Sequence, residues 1–183
     1  MKKMIALVLG MVMVLSTLSA CQPAANIGTS APEEKTTDEA GLYEGLTLYE
    51  TSIGLSLYMC EGFTEASVEG VQACFEGENS NVRFQEETYE SLASVGYGSV
   101  VTEEEYAKLI ISAYQLGGEV MTDEYGNVYI YYEVDIQGTS VSYYGFFDKG
   151  TASFWMTTFM CLTAQKDLFE GDFKLWASSI QVP

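Results

Sequence analysis

The feature that most constrains the fold is a predicted strand with large apolar side chains on both of its faces. Between residues 151 and 162, Phe154 and Met156 alternate with Trp155 and Phe159. Such a strand cannot leave one face in water, because fully burying one large apolar side chain contributes about 1.5–3 kcal/mol. The sheet that contains this strand must therefore be covered on both faces.

Alternation of apolar and polar residues predicts the other strands. Turn residues separate them, as at Gly126-Asn127 and Gln137-Gly138. The predicted strands are at about residues 53–60, 71–76, 82–85, 119–125, 128–136, 139–147 and 151–162. This pattern predicts an antiparallel sheet of about seven strands.

Two amphipathic helices are available to cover the sheet. The first is predicted at residues 103–116, where Thr102 and Glu105 have the spacing of a capping box. The second is predicted at residues 166–178, and its apolar stripe consists of Phe169, Phe173, Trp176 and Ile180. One helix on each face gives an α+β fold, an α/β/α sandwich built on the antiparallel sheet.

The order of these elements, with the ending from Phe173 to Ile180, resembles the PsbP-like superfamily, which includes DcrB-like bacterial envelope lipoproteins. The resemblance covers about residues 46–183. It implies a non-catalytic binding or assembly module and brings no catalytic residues with it. One departure is the missing proline that often follows the first strand in this group, where Met59-Cys60-Glu61-Gly62 stands instead.

The first 20 residues have the layout of an export signal. Lys2 and Lys3 precede an apolar run of about a dozen residues, shorter than the roughly 20 that a membrane-spanning helix needs. The run leads to Leu18-Ser19-Ala20-Cys21, which resembles the lipobox of bacterial lipoproteins. The resemblance implies cleavage before Cys21 and acylation of that residue. It predicts attachment to the extracytoplasmic face of a bacterial membrane through lipid.

Residues 21–40 are predicted to be a flexible linker between the lipid anchor and the folded domain. The segment contains two prolines, many small polar residues and four acidic ones, but only one large aliphatic side chain, Ile27. It cannot bury enough apolar surface to fold by itself. The domain is therefore predicted at residues 41–183.

The composition excludes several classes of function. The chain has 26 acidic and 8 basic residues and no histidine, so its formal charge is −18. This charge opposes contacts with phosphates, so we expect no nucleic-acid partner. Without histidine, the common catalytic triads and imidazole metal sites cannot form. We expect no enzyme activity, no cofactor and no metal.

The prediction is a module that binds a protein partner, and the alternative is a protein that captures a small ligand or metal ion.

Three cysteines remain after Cys21 is assigned to lipid. Cys60 and Cys74 both lie opposite the apolar rows of their strands, so they are a candidate disulfide. This bond would close a loop of about 15 residues and contribute roughly 3 kcal/mol. The equal alternative is that Cys60, Cys74 and Cys161 are all buried thiols.

The candidate binding residues form a strip on one face of the strand at 128–136. This strip consists of Tyr129, Tyr131, Glu133 and Asp135. The opposite face of the strand is more apolar, so we expect it to hold the deeper core and the strip to be partly exposed near the sheet edge. If the helix at 103–116 covers the strip, its rings instead belong to the core.

Overall fold

The computed structural model describes residues 41–183, and the signal and linker predictions for residues 1–40 lie outside the described residues. The strands are β1 (Thr47–Glu50), β2 (Ser56–Met59), β3 (Thr64–Glu65), β4 (Ala73–Glu76), β5 (Ser80–Thr88), β6 (Val120–Thr122), β7 (Val128–Ile136), β8 (Thr139–Lys149) and β9 (Ser153–Leu162). The helices are α1 (Tyr89–Ser94), α2 (Glu103–Tyr114) and α3 (Lys166–Ala177), and a 3-10 turn at Thr163–Gln165 precedes α3. Among these described helices, none is long and apolar enough to cross a bilayer.

The main sheet has seven antiparallel strands in the order β3-β4-β5-β9-β8-β7-β6. The predicted fold class, an antiparallel sheet of about seven strands with helices on both faces, is confirmed. The membership of the sheet differs from the prediction in one respect. Strand β2 pairs with β1 in a separate two-stranded sheet, and the short β3 takes the place at the edge of the main sheet.

One face of the main sheet, here called the α3 side, is covered by α3 and by the small β1–β2 sheet. The predicted stripe of α3 faces inward, with Phe173 and Trp176 almost fully buried. Strand β2 is held to the segment after α3, because the Tyr58 N–H donates to Ser179 Oγ at 2.8 Å. The small sheet therefore closes the core that α3 begins.

The other face, here called the α2 side, is covered by α2 and α1. The predicted capping box is present, since the Glu105 N–H donates to Thr102 Oγ1 and the Thr102 N–H donates to Glu105 Oε2, both at 3.2 Å. Helix α2 buries Tyr106, whose ring stacks on Phe154 at 4.8 Å. Both helices thus lie where the two-faced β9 required cover.

Candidate binding surface

Strand β7 turns the predicted strip toward the α3 side, and the strip divides into a buried end and an exposed end. Tyr129 is only 7% exposed and stacks on Phe146 with ring centroids 5.3 Å apart. Tyr131 is half-buried, whereas Glu133 and Asp135 are exposed. The expected partial exposure is therefore wrong for Tyr129, which belongs to the core, and holds for the other three residues.

The helix beside the strip is α3, not the helix at 103–116 that we considered. Lys174 of α3 places its ammonium 5.7 Å from the centre of the Tyr129 ring. The expectation that the opposite face holds the deeper core is also wrong. The buried cluster on the α3 side is the largest among the described residues, because α3 and the β1–β2 sheet both add apolar side chains to it.

The exposed end of the strip belongs to a network of polar side chains, here called the Lys166 cluster. Its members are Tyr131, Glu133, Ser142, Thr163 and Lys166. The Lys166 ammonium donates to Glu133 Oε1 at 3.2 Å and to Tyr131 Oη at 3.3 Å. The Tyr131 hydroxyl also hydrogen-bonds Glu133 and lies 3.1 Å from Ser142 Oγ, which donates to Thr163 Oγ1 at 3.1 Å.

Four different elements bring the Lys166 cluster together. Glu133 and Ser142 face each other across the β7–β8 ladder, Thr163 begins the 3-10 turn, and Lys166 is the first residue of α3. The sequence patterns did not identify Ser142, Thr163 or Lys166 as neighbours of the strip. Thr163 is 21 residues from Ser142 and Lys166 is 33 residues from Glu133 along the chain. The 3-10 turn and α3 bring them back to the β7–β8 ladder.

The hydrogen bonds of the Lys166 cluster favour the charged forms of both Glu133 and Lys166. The Tyr131 hydroxyl, followed by the Lys166 ammonium, lowers the pKa of Glu133. Hydrogen bonds to Tyr131 and Glu133 raise the pKa of Lys166. Lys166 is thus held as an ammonium, whereas a general base or amine nucleophile needs its neutral form. Ser142 is fully buried, so the cluster is suited to polar contact rather than to acyl transfer.

Cys60 and Cys74 lie on different sides of the main sheet. Cys74 is buried on the α2 side, directly opposite Arg83 in the β4–β5 ladder. Cys60 packs against the core on the α3 side. The structure does not join these two residues, because the sheet lies between their side chains. The candidate Cys60–Cys74 disulfide is therefore not formed in this fold.

Burial makes the two interior thiols poor nucleophiles. Desolvation raises the pKa of Cys161 to about 12. Desolvation also raises the pKa of Cys74, although the nearby Arg83 acts in the opposite direction. Since the thiolate is the reactive form of cysteine, both residues are inert packing groups in this fold.

Asp148 is a half-buried acid that the sequence patterns did not single out. The strand predicted at residues 139–147 continues in the structure as β8 through Lys149, so Asp148 lies in the sheet rather than after it. Its Oδ2 is buried and has no hydrogen-bond partner among the described residues. Desolvation, followed by repulsion from Glu103, raises the pKa of Asp148 to about 7.

Two open recesses of the described surface lie away from the strip. One open recess of about 340 Å³ lies beside β3 and β4 and is lined by Glu65, Val68 and Gln72, among others. A second, of about 370 Å³, lies between α2 and β6 and is lined by Glu104, Ile111 and Val120, among others. Within residues 41–183, no three side chains of His, Cys, Asp or Glu are grouped so that they could hold a metal ion.

Comparison with known proteins finds similarity only at the level of solved structures. No family model and no curated protein sequence matches the chain. The chain is similar to the cyanobacterial PsbP protein CyanoP from Synechocystis, with 16% identity and a TM-score of 0.46 over 75% of this chain and 92% of that chain. It is also similar to a protein of unknown function from Pseudomonas aeruginosa, with 15% identity and a TM-score of 0.40 over 75% of this chain and 96% of that chain.

A third similar structure comes from Bacteroides thetaiotaomicron, with 9% identity and a TM-score of 0.46. The match covers 70% of this chain and 45% of that longer chain. These similarities concern general architecture and carry no argument about function. The fold class itself, which the strand and helix patterns predicted, follows from the sheet order and the two covering helices.

Proposed function

We propose that the protein is a membrane-anchored extracytoplasmic lipoprotein that acts as a non-catalytic binding or assembly module. The observation that carries this proposal is Leu18-Ser19-Ala20-Cys21 at the end of a short apolar run that follows Lys2 and Lys3. A chain processed there would begin at an acylated cysteine. Because each buried methylene contributes about 0.8 kcal/mol, several acyl chains hold a protein firmly in a bilayer.

The length and charge of the chain support a module that stands clear of the membrane. A flexible linker of 20 residues has a root-mean-square length of roughly 25 Å. Loss of Lys2 and Lys3 with the signal would change the formal charge from −18 to −20. An acidic domain is repelled by anionic headgroups, so this domain would present its surface to partners rather than to lipid.

The described surface supports binding of a macromolecule more than enclosure of a small ligand. A small-ligand site is normally a concave pocket with a few converging polar groups. Here the two recesses are open, and neither is lined by the tyrosines of the strip. The Lys166 cluster instead lies at the surface, where Glu133 and Lys166 are each a little over one-third exposed.

The lipid anchor is tested by Cys21→Ala, with Cys60→Ala as the matched control that removes a cysteine outside the signal. Cells are labelled with an alkyne fatty acid, and membranes are washed in high salt. We expect Cys21→Ala to lose the label and to be released or left unprocessed, while Cys60→Ala behaves as wild type. The proposal fails if Cys21→Ala stays membrane-bound in high salt and matures to the wild-type polypeptide mass.

The binding role is tested separately by crosslinking the anchored protein in cells and recovering it from solubilised membranes. We expect a stoichiometric protein partner whose recovery falls when Glu133 and Asp135 are both replaced by lysine. Glu61→Lys with Glu69→Lys is the matched control, because both of these acids are exposed in loops away from β7. Equal recovery from the two double variants would exclude the strip as the contact.

A further inference from the structure

We propose that the outer edge of β7 at Glu133–Asp135 binds an extended peptide strand in which basic and apolar side chains alternate. This inference rests on the proposed function and names the class of partner that the module takes. Its starting point is the unequal length of two neighbouring strands. Strand β6 pairs only with Val128–Ile130, whereas β7 continues to Ile136. Within residues 41–183, no strand pairs with the rest of this edge.

The hairpin turn determines which backbone groups of β7 point to the open edge. Gln137 and Gly138 both have positive φ, at 54° and 85°, and form a two-residue turn closed by the Ile136–Thr139 pair. The closing pair of such a turn exchanges hydrogen bonds between its two strands. Because bonded and non-bonded pairs alternate along an antiparallel ladder, the N–H and C=O groups of Glu133 and Asp135 point away from β8.

A contact before β6 agrees with this direction. Alternation also points the Tyr131 carbonyl outward, and Gly118 lies against it, so closely that a Cβ on Gly118 would be 2.7 Å from the Tyr131 oxygen. The chain before β6 therefore reaches the edge as far as Tyr131. Beyond this residue, Glu133 and Asp135 leave two backbone donors and two acceptors for water or for an added strand.

The side chains beside this edge specify the chemistry of the added strand. Glu133 and Asp135 lie on the α3 side, and the half-buried Tyr132, Val134 and Ile136 lie on the α2 side. A strand that continues the pleat places alternate side chains next to these two rows. Basic residues would meet the carboxylates, and apolar residues would extend the row of Val134 and Ile136.

Charge complementarity favours a basic partner over a second copy of the chain. Residues 41–183 carry 22 acidic and only five basic side chains. Pairing of two β7 edges would bring Glu133 and Asp135 of both copies together, and like charges directly opposite are destabilising. Acidic residues can also protect an open edge from pairing at all, and this alternative predicts no binding.

The probe is a fluorescent peptide, acetyl-Lys-Val-Lys-Val-Lys-Val-Lys-amide, titrated into the full-length protein and followed by anisotropy and amide hydrogen exchange. In the free protein, we expect the amides of Glu133 and Asp135 to exchange at least tenfold faster than those of Tyr132 and Val134. Saturating peptide should slow the exchange of Glu133 and Asp135 at least tenfold. The same peptide with glutamate in place of lysine should not bind.

The decisive variant is Glu133→Pro, which removes an outward N–H but no hydrogen bond of the β7–β8 ladder. Its control, Glu133→Gln, removes the charge and keeps the N–H. We expect Glu133→Pro to weaken peptide binding at least tenfold and Glu133→Gln to weaken it two- to threefold. If Glu133→Pro does not fold, the wild-type exchange pattern still decides the question.

The proposal is overturned if the two amides are already protected in the free protein, or if the peptide binds without protecting them. It is also overturned if Glu133→Pro binds the peptide as well as Glu133→Gln does, because the peptide is then attracted by the overall negative charge of the domain and not by the strand edge. A third contrary result is a dimer in light scattering that Glu133→Pro dissociates, because a second copy then occupies the edge. These results leave the membrane anchoring through Cys21 untouched. Failure of the strand-binding proposal can therefore be distinguished from failure of the lipoprotein proposal.

Discussion

The two faces of the main sheet differ in how their cores are built. On the α3 side, one continuous cluster runs from β2 across the sheet to α3, and its rings are in serial contact, such as Phe159 with Phe173 at 5.1 Å and Phe173 with Trp176 at 5.7 Å. On the α2 side, the buried residues form two smaller clusters, one under α2 and one around Tyr143. The deeper core therefore lies where a helix and a second sheet combine.

This difference teaches that the apolar content of a strand does not decide which of its faces is deeper. On the α2 side of β7, all five alternate residues from Val128 to Ile136 are apolar or aromatic, yet only Ile130 among them is fully buried. Tyr129, on the less apolar side, is buried because α3 lies over it. The covering elements decide the depth.

The largest expected effect is on the α3 side. Trp176→Ala should destabilise the fold by about 3–5 kcal/mol, because the 1%-exposed ring leaves a cavity in the continuous cluster. Leu168→Ala, on the same helix but 65% exposed, should change stability by no more than about 0.5 kcal/mol. Urea unfolding of both variants measures the difference, and equal losses would show that α3 is not the main cover of this face.

A pH effect is expected at Asp148, a residue of β8 that is repelled by Glu103 at the start of α2. Its folded pKa of about 7 lies above the ordinary value near 3.9 in an unfolded chain. The folded state therefore keeps a proton that the unfolded state releases. The resulting stability is complete below about pH 4 and is lost as the pH rises through about 7.

Asp148→Asn should remove this dependence while it preserves the shape of the side chain. We expect the wild type to lose about 2–4 kcal/mol relative to the variant between pH 4 and 8. Unfolding in urea across this range measures the difference between the two proteins. Parallel curves for the two proteins would mean that Asp148 is ionised in the fold at neutral pH.

A smaller effect is expected on the α2 side, where one capping residue starts the covering helix. Thr102→Ala removes the side-chain acceptor for the Glu105 N–H and should cost about 1 kcal/mol. Thr102→Ser keeps the hydroxyl and should be close to wild type. If thermal unfolding shows a loss as large as that of Trp176→Ala, the α2 side is more important to stability than its smaller clusters indicate.

The smallest effect is expected in the Lys166 cluster. Lys166→Met removes an ion pair whose members are each more than one-third exposed, and exposed ion pairs contribute little to stability because water screens them. Stability should hardly change, whereas the pKa of Glu133 should rise toward its ordinary value because one of its two hydrogen-bond donors is lost. NMR titration of the Glu133 carboxyl measures this shift, and an unchanged pKa would show that the contact with Lys166 is not formed in solution.

Local patterns in the sequence determined much of the fold. Residue periodicity is enough to predict the bounds of β7 and the inward stripe of α3. Turn and capping residues, which act over only a few positions, predict the Gln137-Gly138 turn and the Thr102–Glu105 capping box. The two-faced β9 required cover on both sides, and this requirement led to the architecture. The lipid anchor at Cys21 also comes from the sequence, and it stays a prediction.

Only the tertiary structure decided which element covers which side. It placed α3 over Tyr129, moved β2 into a second sheet, separated Cys60 from Cys74 and brought Lys166 to Glu133. These choices depend on small differences in free energy between packings of the whole chain, and alternation within one strand contains no information about them. Alternation specifies that two side chains share a face, and the rest of the fold decides whether that face is covered.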